Sequence, residues 1–295
     1  MKVHLVDGTY ELFRQHFGSA GRRSGDGEAA QPLAATLGVV SSTLGLLADG
    51  ATHIGVASDH VIESFRNTLW PGYKTGEGML PELLEQIPVM EDALAALGIT
   101  VWAMEHDEAD DALGAAAQVA AADERVQQVL IVTPDKDLAQ CVVGNRVVQF
   151  DRRLGTTFDH DGVVAKHGVA PASIPDYLAL VGDTADGFPG LPGWGAKSAA
   201  AVISRYGHLE QIPDSVEHWD VPGLRSAAKL AETLRTQRDL AMLFRQIATV
   251  VTDLDVGAVD DWHWHGPTAR FAQIAEDLGR PELMQRAERI ATRRG

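Results

Sequence analysis

Val129-Leu130-Ile131-Val132-Thr133-Pro134-Asp135-Lys136-Asp137 joins an unbroken apolar run to a pair of carboxylates, and its reading decides the fold. A short run of β-branched and aliphatic residues closed by proline is the pattern of a strand buried on both faces, as in a parallel sheet. The pattern recurs along the chain. Lys2-Val3-His4-Leu5-Val6 runs into Asp7, His53-Ile54-Gly55-Val56-Ala57-Ser58 into Asp59, and Ile99-Thr100-Val101-Trp102-Ala103-Met104 precedes Glu108, Asp110 and Asp111. Further on, Gly182 is followed by Asp183 and Asp186. Functional crevices of open α/β sheets lie beyond the carboxyl ends of the strands, so these acids are expected to converge.

Nine carboxylates at one place cannot all stay ionised without a compensating charge. Divalent metal ions supply it, and an all-oxygen ligand set selects Mg²⁺ or Mn²⁺ over zinc. Helix capping accounts for one or two acids of Glu108-Ala109-Asp110-Asp111, but not for their coincidence with the other acidic strand ends. Glu108 and Asp111 share a helix face, while Asp135 and Asp137 project to one side if extended. A multi-metal carboxylate site is the hardware of phosphoryl transfer, so phosphodiester cleavage outranks other reactions.

Composition is compatible with this. The 295 residues, 45% hydrophobic and 22% charged, suit a soluble globular protein with room for one large domain or two modest ones. No apolar run reaches membrane-span length, and the first residues lead into a strand rather than a signal peptide. The single cysteine, Cys141, fits a reducing cytoplasm and is expected to be a buried structural thiol. The proposed metal ligands account for more than half of the formal charge of −16, so the net charge is a weak veto on nucleic acid.

Strand and helix alternate through the first half. A polar loop is expected over Gly18 to Glu28, a helix over Pro32 to Leu47, an amphipathic helix over Glu82 to Leu97 kinked at Pro88, and an alanine-rich helix over Asp110 to Ala122. From about Asp159 onward helices take over: Val163 to His167, Ile174 to Val181, Lys197 to Tyr206 and Leu224 to Thr249. The expected fold is therefore α/β, a mostly parallel sheet flanked by helices over residues 1–160, followed by a helical module over 161–295. A short arch is placed near 74–97.

Leu191-Pro192-Gly193-Trp194-Gly195-Ala196-Lys197-Ser198-Ala199 opens a helix with glycines that leave backbone N–H groups free for phosphate. It fits neither a Walker A loop nor a dinucleotide fingerprint. A helix–helix turn with glycines for geometry alone is the plainer alternative. Placed after Gly182, Asp183 and Asp186, the hairpin suits a sequence-independent grip on a nucleic-acid backbone through Gly193, Gly195, Lys197 and Ser198. Arg14, Arg66 and Lys74 lie beside the acids, and Trp70 and Tyr73 add stacking surface. Each of these cations can instead serve as a structural partner of the carboxylates. His263 and His265, alternating with Trp262 and Trp264, read as structural or surface residues.

With these residues in place, the chain resembles bacterial 5′ nucleases, the stand-alone flap endonuclease and 5′→3′ exonuclease relatives of the nuclease domain of DNA polymerase I. The likeness runs from Val3 to Tyr206 and rests on Leu5-Val6-Asp7-Gly8, Glu108-Ala109-Asp110-Asp111, Thr133-Pro134-Asp135-Lys136-Asp137-Leu138 and Gly182-Asp183-Thr184-Ala185-Asp186-Gly187-Phe188-Pro189-Gly190. It implies a PIN-like nuclease core and a helix–three-turn–helix DNA-binding element at the hairpin. It further implies that Asp7, Asp59, Glu108 and Asp110 organise a first metal, and that Asp111, Asp135, Asp137, Asp183 and Asp186 serve a second and a third. Arg66 and Lys74 match positions that contact the scissile phosphate, and Arg14 matches another basic residue near the site. The resemblance allows K⁺ at the hairpin carbonyls, RNA–DNA hybrids beside DNA as substrates, a replication or repair setting, and a monomer. Glu77 departs from the family, which commonly carries a basic residue there. With no polymerase-sized region following, a free-standing enzyme is expected. Weakly active or noncatalytic structure-specific DNA binding and a PIN-like RNase are the rival readings. A phosphatase or nucleotide-binding enzyme is disfavoured by the lack of a Walker or Rossmann loop.

Overall fold

Leu5 and Val6, Val56 and Ala57, and Ile131 and Val132 are consecutive pairs with no more than trace exposure, so their strands are covered on both faces. The computed structural model describes residues 1–20 and 33–293. Strands β1 (Lys2–Asp7), β2 (His53–Asp59), β3 (Thr100–Met104) and β4 (Gln128–Val132) lie in the order β3-β2-β1-β4, all parallel. The register sets Val3 opposite His53, Lys2 opposite Gln128 and Gly55 opposite Thr100. All carboxyl ends therefore share one edge, where the sequence puts its acids. Helices Gly8–Ala20, Ala34–Ala48, Gln86–Ala96 and Ala109–Ala122 supply the cover. Gly18 belongs to the first of these, and the rest of the polar loop expected up to Glu28 lies outside the described residues except Ser19 and Ala20.

The expected kink at Pro88 is displaced. The helical segment breaks at Glu85, between Pro81–Leu84 and Gln86–Ala96. Pro88 falls in the first turn of the second piece, where its missing N–H leaves no helical bond unmade.

The chain forms two compact units, each discontinuous in sequence. The first comprises Met1–Ile62, Gly76–Thr133 and Thr252–Gly295; the second comprises Glu63–Thr75 and Pro134–Val251. Tryptophans fasten the late segment into the first unit. A Cβ at Gly55 would overlap the Trp102 ring, so glycine lets that indole cross β2. Trp102 meets Trp262 edge to face at 5.5 Å, and both indoles donate to the Val256 carbonyl. Trp264 Nε1 donates to the Leu97 carbonyl at 2.8 Å, and His263 forms a bridge with His53. His263 is thus a packing residue, and the exposed His265 lies with its ring 4.5 Å from it.

In the second unit, helices His160–His167, Ile174–Val181, Ala196–Tyr206, Ala227–Thr236 and Arg238–Ala248 bury Leu178, Phe188, Val202, Leu234 and Phe244 together. The single helix expected from Leu224 to Thr249 is two, interrupted at Gln237, and Leu224 lies outside both. Strands β5 (Val147–Asp151) and β6 (Thr156–Phe158) form an antiparallel pair that the sequence reading did not place. Cys141 is half-buried rather than buried, because it ends a short 3₁₀ turn, Asp137–Cys141. No helix among the described residues is long and apolar enough to cross a membrane.

His167 closes the helix His160–His167 with its Nε2 buried and without a hydrogen-bond partner among the described residues. Burial, then the charges of Lys166 and Lys136, holds its pKa down to about 4. The folded protein keeps this ring neutral while the unfolded chain protonates it below about pH 6.5, so stability present above that pH is lost as pH falls toward 4. Melting curves should show a steeper loss of Tm from about pH 7 to about pH 5 in wild type than in His167→Leu. Equal slopes would show that His167 is not the group responsible.

Candidate functional site

The first unit presents its acids at strand ends and one helix start. Asp7 closes β1; its Oδ1 accepts the Tyr10 N–H at 2.8 Å and its Oδ2 the Thr133 hydroxyl at 3.0 Å. It thereby satisfies a donor in the first turn of Gly8–Ala20. Asp59 closes β2 and accepts the Ala109 N–H at 2.8 Å, which ties it to the start of Ala109–Ala122. Glu108 caps that helix, and Asp111 Oδ2 accepts the Glu108 N–H at 2.9 Å in a capping box. Asp111 is fully buried, so it fixes the turn that presents Glu108 and the half-buried Asp110. Asp7, Asp59, Glu108 and Asp110 are the acids best presented at this edge.

The second unit holds the denser cluster. Asp135 is exposed and Asp137 buried, because the chain turns after Pro134 instead of staying extended, contrary to the alternation expected. Asp135 Oδ1 accepts the Asp137 N–H at 2.9 Å, closing that turn. Asp183 and Phe188 exchange backbone hydrogen bonds of 2.8 and 3.0 Å, which folds Asp186 back over Asp183. Gly187 sits at φ 78°, where a side chain would overlap the Gly72 carbonyl oxygen. That close approach lays the Trp70–Lys74 segment on the acidic turn, and Trp70 Nε1 donates to the Gly187 carbonyl at 3.1 Å.

Carboxylate oxygens of Asp137, Asp183 and Asp186 lie within 4.8 Å of one another. Asp137 Oδ1 is buried with no hydrogen-bond partner among the described residues. Burial, then the charges of Asp135, Asp186 and Asp183, pushes the Asp137 carboxyl well above the usual carboxylate range. A buried oxygen of this kind amid repelling carboxylates suits cation binding, and the oxygen-only donors fit a hard divalent ion.

The cations divide into two kinds. Lys74 Nζ is 3.8 Å from Asp186 Oδ1, and its backbone N–H donates to the Asp186 carbonyl at 3.0 Å. Lys136 pairs with Asp183. Sequence reasoning gave Lys136 no role, although a lysine between two acids, Asp135 and Asp137, was itself a signal. Arg66 and Arg14 each have a structural partner. Buried Arg66 donates from Nε to the Ile247 carbonyl at 2.8 Å and from Nη2 to the Thr249 carbonyl at 3.0 Å. Arg14 makes a bidentate pair with Glu11, at 2.5 and 3.1 Å.

At the hairpin, Gly193 adopts φ 85° and Gly195 caps helix Ala196–Tyr206. Ser198 Oγ accepts the Gly195 N–H at 3.0 Å and donates to its carbonyl at 2.9 Å, so this hydroxyl serves the cap. A Cβ at either glycine would meet open space. The hairpin and Lys197 line a groove of about 890 Å³ whose other wall includes Gly223, Arg225 and Ser226. The exposed glycines, the helix start and two basic side chains here suit an extended anion.

Residues 2–168 match the model of the 5′-3′ exonuclease N-terminal resolvase-like domain, and residues 169–270 that of the 5′-3′ exonuclease C-terminal SAM fold. A 5′-3′ exonuclease of Buchnera aphidicola is 31% identical over 85% of this chain and 82% of its own length. DNA polymerase I of Mycobacterium leprae is 36% identical over 77% of this chain; the chain spans about a quarter, 24%, of that relative. Among solved structures, T5 5′-exonuclease with bound zinc superposes with a TM-score of 0.66 at 17% identity, covering 99% of both chains. The catalytic core of Rad2 in complex with DNA substrate gives 0.63 at 15% identity, covering 99% of this chain and 91% of that one. These two likenesses bear on the fold.

Proposed function

The chain belongs to the 5′-3′ exonuclease family, and we propose that it is a metal-dependent, structure-specific 5′ nuclease hydrolysing DNA phosphodiesters near 5′ ends, flaps and single-strand/duplex junctions. The observation that carries this reading is the group Asp137, Asp183 and Asp186, with its buried orphan oxygen and Lys74 alongside. Asp135, Asp137, Asp183 and Asp186 would hold divalent ions in the second unit; Asp7, Asp59, Glu108 and Asp110 are offered by the first. Bound Mg²⁺ or Mn²⁺, as two or three ions, supplies an activated water and stabilises the leaving oxygen.

The chain's own groups do the rest. Lys74 offers an ammonium to a phosphate drawn to the acidic turn. The hairpin at Gly193 and Gly195, the start of helix Ala196–Tyr206 and Lys197 hold the backbone of the duplex without reading bases. Their carbonyls are where K⁺ would bind. Arg66 acts by holding its segment rather than by touching phosphate. DNA complexes of Rad2 support DNA as partner, and the polymerase relatives support a replication or repair setting; a cytoplasmic location is part of the same proposal. RNA–DNA hybrids extend the same reading, as does action as a monomer.

Cleavage of a flap duplex labelled at the 5′ end and internally tests the proposal. Cuts near the junction are expected with Mn²⁺ or Mg²⁺ and none with EDTA. Tight flap binding without cutting under any metal would move the reading to a noncatalytic DNA-binding paralogue, which exposed Glu77, standing where the family carries a base, also favours.

A further inference from the structure

Four carboxylates, Asp135, Asp137, Asp183 and Asp186, share the acidic turn of the second unit with two ammonium groups, Lys74 and Lys136. The two lysines are placed differently. Lys74 stands 3.8 Å from Asp186, while Lys136 is in direct contact with Asp183 Oδ2. Asp183 is almost wholly buried, and its other oxygen accepts the Ala185 N–H at 2.9 Å. Both oxygens are thus committed, one to the backbone and one to Lys136. A divalent ion that takes Asp183 as a ligand together with Asp137 and Asp186 meets the ammonium there. The Lys136 side chain is 37% exposed against 3% for Asp183, so the lysine can swing to solvent while the carboxylate stays in place.

We propose that Lys136 is a built-in counter-cation that neutralises Asp183 in the metal-free protein and is displaced by the divalent ion. This rests on the metal reading given above. Lys136 is then a positioning residue with two opposed effects. It stabilises the apo cluster, because an unpaired buried carboxylate is costly. It also weakens metal binding, because ion and ammonium compete for one oxygen. A purely structural lysine would have the first effect only, and its loss would leave metal affinity unchanged or lower.

Mn²⁺ titration by calorimetry, without DNA, of wild type, Lys136→Met, Lys136→Gln, Asp137→Asn and the pair Asp183→Asn and Lys136→Met/Asp183→Asn separates these cases. The expected result is binding about fivefold tighter or more in both lysine variants. Their Tm in EDTA should be below wild type and recover with Mn²⁺. The advantage should vanish in the Asp183→Asn background, where there is no anion to contest. Equal or weaker Mn²⁺ binding in the lysine variants, with wild-type binding that Asp137→Asn destroys, overturns the inference and leaves the metal reading standing. Wild type and Asp137→Asn alike failing to bind Mn²⁺ overturns both.

Discussion

Asp137→Asn should lower flap cleavage by at least about a thousandfold while leaving the metal-free fold as stable as wild type or more so. The side chain keeps its shape and loses its charge. In the folded protein this carboxyl is buried, has one oxygen without a hydrogen-bond partner among the described residues, and faces Asp135, Asp186 and Asp183. Neutralising it relieves repulsion that only a cation otherwise relieves. Activity and apo stability should therefore move in opposite directions, the usual mark of a site held against its own electrostatics. Mn²⁺ should raise the Tm of wild type and have little effect on the variant. Single-turnover cleavage and melting curves with and without Mn²⁺ read both. Cleavage within tenfold of wild type would remove Asp137 from the metal site.

Arg66→Ala should act the other way, costing about 3 kcal/mol of stability and comparatively little of the cleavage rate per folded molecule. The guanidinium is buried and donates to the carbonyls of Ile247 and Thr249 at the end of helix Arg238–Ala248. A helix C-terminus leaves carbonyls unpaired, and Arg66 serves one of them and a neighbour just beyond. Its loss leaves the buried Ile247 carbonyl without this donor. Arg66→Lys should recover only part of the stability, since an ammonium lacks the planar fork. Urea unfolding monitored beside cleavage at low temperature separates the effects. A stable variant with cleavage reduced a hundredfold would return Arg66 to the phosphate, as its family position implies.

The difference between these residues shows what the sequence made legible. Parallel strands could be read from Val129–Val132 and its counterparts because burial on both faces demands continuous apolar runs. Acids at strand ends could be read for the same reason: polarity begins where the sheet stops. Arg66 was legible as a basic residue in a nucleic-acid context, but not as the partner of carbonyls about 180 positions away, because such a bond leaves no local pattern. Asp111 shows where the sequence runs out, because capping and metal binding both favour acids at a helix start and its capping-box bond serves the first role without deciding the second. The β5–β6 pair escaped notice because Thr156–Phe158 is three residues long, too short for alternation to register. Lys136 was in plain view within a quoted motif, but its value depends on Asp183, which a turn far along the chain delivers.

The tryptophan fastening of the first unit sets an order of events at the ribosome. Trp102 leaves the exit tunnel long before Val256 and Trp262, the groups its indole packs on and donates to. Synthesis at about 5–20 residues per second separates them by tens of seconds at the slow end. During that interval residues 134–251 have emerged and can fold around their own core, while the earlier strands wait with an aromatic face uncovered. The nascent chain is then most prone to aggregation just before its last segment arrives. Premature release ahead of Val256 would leave that face permanently exposed, making such fragments natural clients for chaperones and proteases.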